Sequence, residues 1–205
     1  MGVPWALDEF KAVSCEALTA KILCRGHNSA LSPLDDVAGR FFGNIKEAQL
    51  ALQAGSRKST TNTFKGAALE RWFLKVAFGT WSSGNLAYNG VCLAGTPPAL
   101  WGDILLGADF PPQWGLYVPV PQGEVPLSEQ EFELAPIIGQ DGLVRAMKFG
   151  LARMPFTLML GKPAEWGVHR PCEVNLGSWA ARRTLRLAWP GASSGDSINY
   201  YRVRS

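Results

Sequence analysis

The sequence predicts an α+β fold, with an N-terminal knuckle and two amphipathic helices packed on a C-terminal antiparallel sheet. Three observations lead there. Leu34, Val37, Phe41, Ile45, Ala48 and Leu52 recur at steps of three and four, which traces one face of a helix. From about residue 115 the apolar pattern changes to period two across seven short segments. The 22 Gly and 14 Pro among 205 residues supply the turns that such strands need. Apolar residues make up 47% of the chain and charged residues 18%, enough to bury a core and too little charge for disorder.

Taken in order, residues 1–31 form the knuckle region, with a short strand expected at Ala20–Cys24. A helix is predicted over 33–54. Ser32 suits its N-cap, Pro33 its first position, Asp35 the capping acid and Gly55 its stop. Ser56–Thr63 reads as a polar linker. A second helix is expected from Phe64 to Gly79, with Leu69, Trp72, Phe73 and Val76 inward and Glu70, Arg71 and Lys75 on its polar side. A short third helix is expected at Ala99–Leu106, after Pro97 and Pro98. Strands are then expected within 115–121, 131–138, 143–149, 155–161, 172–176, 184–189 and 197–203. Pro119, Pro121 and Pro136 belong at edges or bulges of the sheet. The whole chain, 1–205, reads as one domain, with a helical part over 32–110 and a β part over 111–205.

Several classes are excluded. No run of about 18 apolar residues appears, so no membrane span is expected. The first residues lack a basic and then apolar leader, so the expected compartment is the cytoplasm. No phosphate-binding glycine loop and no dinucleotide fingerprint is present, so no nucleotide cofactor is expected. The G-x-S-x-G nucleophile motif is missing too, and no residue is assigned as catalytic. The eight Trp suit large-ring packing in a Gly/Pro-rich core, or base stacking beside arginines.

Charge is segregated along the chain. Residues 1–90 carry 10 Lys/Arg against 7 Asp/Glu, residues 91–145 carry 1 against 7, and residues 146–205 carry 9 against 3. Within the basic last stretch, Arg182, Arg183 and Arg186 are the candidate contacts to an anionic partner such as nucleic acid. The plainer reading makes them solvated faces of strands.

One metal constellation is possible. Cys24-x2-His27 has the spacing of a zinc knuckle, and His169-x2-Cys172 repeats it in reverse. Together Cys24, His27, His169 and Cys172 would make a Cys2His2 zinc site, with Cys15 as the alternative ligand to the first pair. The competing reading is of buried thiols and ordinary histidines.

Cys24-x2-His27-Asn28, Leu31-Ser32-Pro33-Leu34-Asp35 and Ala38-Gly39-Arg40-Phe41-Phe42 together resemble bacterial proteins of unknown function that look like relatives of HNH endonucleases. Leu69–Lys75 is similar to that group's second helix. The resemblance covers residues 20–85. It implies a nuclease-like scaffold with a structural knuckle. The acid–His pair and upstream C-x-x-C of HNH enzymes have no counterpart in Met1–Leu23, so the catalytic half is not expected. The first functional expectation is a non-catalytic zinc-knuckle module, bacterial or phage, that binds nucleic acid or a nucleic-acid-processing complex. The alternative is a metal-free protein-interaction, accessory or inhibitor protein. The third is a metal-dependent nuclease using His27 or His169 with Asp35 or Asp36.

Overall fold

The apolar face from Leu34 to Leu52 is helical, and the helix begins earlier than its sequence signals suggest. The computed structural model describes residues 25–84, 86–88, 91–93, 96–119, 132–141, 143–161, 167–177, 182–191 and 197–200. The strand expected at 20–24, with Cys15 and Cys24, lies outside them.

Helix α1 spans Arg25–Gln53, so Pro33 sits in its interior. Proline has no N–H to donate to the Ser29 carbonyl one turn back. The Ser32 hydroxyl donates to that carbonyl instead, at 2.9 Å. Ser32 and Pro33 therefore act inside the helix and do not start it. Asp35 is likewise no capping acid: its Oδ2 lies 2.6 Å from Lys75 Nζ, joining α1 to the next helix. The helix stops where expected, with Gly55 at φ +73 and Ser56 N donating to the Ala51 carbonyl at 2.9 Å.

Part of the expected linker is a strand. β1 covers Thr60–Lys65, with only Phe64 buried. Helix α2 follows at Gly66–Ser82. A Cβ on Gly66 would lie 2.6 Å from the Trp189 ring, so the helix can begin there only with glycine. Leu69, Phe73, Leu74 and Ala77 are fully buried, as the periodicity demands. A hairpin of β2 (Leu86–Tyr88) and β3 (Val91–Leu93) precedes α3 (Ala99–Leu105). Arg71 of α2 caps the end of α3, donating to the carbonyls of Ile104, Gly107 and Ala108.

The remaining strands are β4 (Gly115–Val118), β5 (Phe132–Ile138), β6 (Val144–Leu151), β7 (Met154–Met159), β8 (Val168–His169), β9 (Glu173–Leu176), β10 (Arg183–Ala188) and β11 (Ser197–Tyr200). Each of the seven expected strand segments overlaps one of these, β8 has no expected counterpart, and the fold class is α+β. The single sheet becomes two larger ones. One is antiparallel, in the order β5-β6-β7-β4-β8. Pro136 lies on its edge strand β5, where a missing donor costs little. The other is mixed, in the order β1-β10-β9-β11, with β1 parallel to β10.

Helix α2 packs on strands of both sheets, touching β4 and β7 in one and β1 and β10 in the other. The core follows from that position. Phe41 and Phe42 of α1 and Phe73 of α2 meet Phe149 and Phe156 of the antiparallel sheet, with centroids 4.8–6.1 Å apart. Such edge-to-face pairs add to the apolar burial.

Two outcomes follow. Phe73→Ala lowers stability by about 3–5 kcal/mol, read from urea unfolding, because four rings lose a shared partner. Pro33→Ala raises stability by about 1 kcal/mol, since the new N–H can reach the Ser29 carbonyl. A loss of stability in Pro33→Ala would place Pro33 at a helix start instead.

Candidate functional site

Two polar places stand out. The first is a buried junction. Glu70 of α2 is 1% exposed, although its position reads as the helix's polar side. Its Oε1 accepts from Leu116 N at 2.8 Å and from Arg170 Nε at 2.9 Å, and its Oε2 accepts from Arg170 Nη2 at 2.8 Å. Burying a carboxylate demands such partners. Gly115 permits the contact: at φ +116, a Cβ there would lie only 1.9 Å from Glu70 Oε1. Arg170 adopts φ +49, and its guanidinium lies 5.6 Å from the Trp189 ring centroid and 6.0 Å from that of Phe110.

His169 belongs to the same junction. Its ring stacks on Tyr117, with centroids 4.6 Å and planes 20° apart, and its Nε2 donates to the Trp114 carbonyl at 3.0 Å. A carbonyl only accepts, so Nε2 carries the proton. Burial pushes the His169 pKa below the usual 6.5. The Trp114 bond opposes this, the Arg170 charge adds to it, and Glu70 opposes it. Burial also raises the Tyr117 phenol, whose hydroxyl donates to the Gln113 carbonyl at 2.9 Å. Every one of these bonds fixes structure. Glu70 has its oxygens committed and His169 has its ring packed.

The expected zinc ligands are placed as follows. His27 is exposed in the first turn of α1, His169 is in the junction, and Cys172 is a half-buried free thiol packed against the core. Among the described residues, no group of three or more His, Cys, Asp or Glu is positioned to hold a metal. Cys24 and Cys15 lie outside that set.

The second place is one end of the mixed sheet. Because β1 and β10 run parallel, both begin there, with Thr60 opposite Arg183. Thr60 N donates to the Arg182 carbonyl at 3.1 Å, and Arg182 N donates to Ser59 Oγ at 3.3 Å. The Arg183 guanidinium donates to Thr60 Oγ1 at 3.1 Å and Ser56 Oγ at 3.0 Å. Ser59, Thr60, Thr61, Arg182 and Thr184 line an open concavity of about 460 Å³. Arg57 and Lys58, both exposed, sit in the connector that leads into it. Arg186 faces a different fate, paired with Glu173 at 3.0 Å. The charge pattern thus finds Arg182 and Arg183, but not the serines and threonines that surround them. A hydroxyl-rich run beside Arg57-Lys58 is the signal that points to these.

Comparison with protein-family models, with curated proteins and with solved structures finds no match.

The junction yields two expectations. Glu70→Ala costs about 3 kcal/mol in chemical unfolding and Glu70→Gln costs less, because the amide oxygen still accepts from Leu116 N. The lowered His169 pKa means that the unfolded chain takes up this proton first as pH falls. Its contribution is complete above about 6.5 and is lost below that value. Unfolding midpoints measured down to about pH 5 decline in the parent chain, and His169→Gln flattens that decline.

Proposed function

We propose that the protein is a non-catalytic module that binds nucleic acid through phosphate contacts at the shared end of β1 and β10. One observation supports this above the others. Two cationic runs far apart in sequence lead to the same sheet end: Arg57-Lys58 precedes β1, and Arg182-Arg183 opens β10, its parallel partner. A cationic end rich in hydroxyls suits an anionic polymer. The ion pairs among the described residues use Lys75, Arg145, Arg170 and Arg186, so this end keeps its charge. The sequence resemblance of residues 20–85 to HNH-like proteins, if it extends to function, agrees with a nucleic-acid partner. The cytoplasm is the compartment that this reading implies. No helix among the described residues is long and apolar enough to cross a membrane.

A structural zinc at the Cys24-x2-His27 pair is a separate proposal. Metal analysis of the purified protein checks it, with stoichiometric zinc lost in Cys24→Ser as the supporting result and no zinc as the refuting one.

A second reading, protein interaction, is favoured by a mostly apolar groove. Leu34, Ala67, Ala68, Trp189 and Pro190 line it, with Lys65 and Arg71 beside them.

Fluorescence anisotropy with labelled oligonucleotides across a salt series separates the two. The nucleic-acid reading expects affinity that falls as salt rises, and Arg182→Ala reduces the slope of log K against log salt by about one. Absent or salt-independent binding sinks it.

A further inference from the structure

We propose that the concavity formed by Ser59, Thr60, Thr61, Arg182 and Thr184 is a phosphate seat, holding one internal phosphodiester of a nucleic-acid strand without reading its bases. This rests on the nucleic-acid reading above and adds where the backbone is held and by which donors.

The chemistry of the lining carries the inference. No carboxylate is among the five residues. Ser59 Oγ accepts the Arg182 N–H and Thr60 Oγ1 accepts an Arg183 N–H. A hydroxyl that accepts in this way still has its own proton to donate, and accepting from a guanidinium makes it a stronger donor. Thr184 differs, since its hydroxyl is already given to Asn175 Oδ1 at 2.7 Å. It serves as wall, while Ser59 and Thr61, which alternate with Thr60 along the chain and lie on the Thr184 side of the strand pair, serve as donors. The Arg182 side chain is exposed and adds a charge at the mouth, whereas the Arg183 guanidinium is held by Thr60 and Ser56.

Donors from the connector, from β1 and from the approach to β10 surround one open space. A tetrahedral anion can take bonds from several sides there, and an open mouth lets a strand enter and leave. Among the described residues the lining holds no aromatic ring, and no tryptophan is exposed, so none of them is placed to read bases. Contacts of this kind fix position and carry no sequence information.

The test uses the full chain and inorganic phosphate as probe. At constant ionic strength, chloride is exchanged for phosphate while amide spectra and oligonucleotide anisotropy are recorded. The expected result is shifts at the amides of 59–61 and 182–184, and displacement of the oligonucleotide beyond that in matched chloride. Thr61→Val weakens phosphate binding up to about tenfold with an unchanged unfolding midpoint, and Ser59→Ala weakens it alike while also removing the acceptor of the Arg182 N–H. Oligonucleotides of different sequence, with or without a 5′ phosphate, bind alike. A preference for the phosphorylated end overturns the internal diester. Phosphate shifts without any oligonucleotide binding overturn nucleic acid as the partner and leave an anion seat. Oligonucleotide binding that phosphate does not displace and Thr61→Val does not weaken overturns the seat and leaves the broader reading standing.

Discussion

The carboxylate of Glu70 ties together parts of this molecule that lie far apart along the chain. It sits on α2 and accepts from the backbone of β4 and from Arg170, in the turn between β8 and β9. β8 belongs to the antiparallel sheet and β9 to the mixed one. One side chain therefore fixes the helix against the point where the chain passes from sheet to sheet. The group is 1% exposed, so its desolvation cost is large, and three hydrogen bonds offset it. Its value lies more in geometry than in net free energy, because an apolar cluster of similar volume can pack as stably. Only Glu70 in this rotamer brings Leu116 N–H and the Arg170 fork to the same place. Gly115 has no Cβ for the same reason.

The arrangement at the other sheet end depends on that junction. Trp189, just past β10, donates from Nε1 to the Pro171 carbonyl at 2.9 Å and lies beside Arg170. Its ring also fills the space over Gly66, where β1 hands over to α2. The far ends of β1 and β10 are thus held by the junction, and their near ends carry the residues proposed to bind phosphate. Parallel pairing brings two strand starts side by side, which an antiparallel pair would not do. Arg183 and Thr60 meet because of this register, and the Arg57-Lys58 run leads into the same sheet end.

Much of the fold was legible locally. The face from Leu34 to Leu52, the apolar side of α2, the place of α3 and most of the seven strand segments follow from periodicity and turn residues. What local patterns missed depends on distant partners. Glu70 reads as a solvated helix position because its partner Arg170 lies 100 residues away. β1 reads as a linker because its polar Thr-rich run gains its ladder only from β10, with side-chain bonds spanning 123 residues. Pro33 and Ser32 match a helix start equally well as residues inside one, because Ser32 can supply the missing bond from either setting. The site was half legible. Arginines stand out by charge, whereas Ser56, Ser59, Thr60 and Thr61 take part only because of the fold.

Native-state hydrogen exchange at the Leu116 amide tests the central role of Glu70 most directly. The expected result is that Leu116 N–H exchanges only through global unfolding, with a protection free energy equal to that of the slowest core amides. Exchange through local opening, at rates typical of exposed turns, would show that the carboxylate does not hold the two sheets together and would contradict the account.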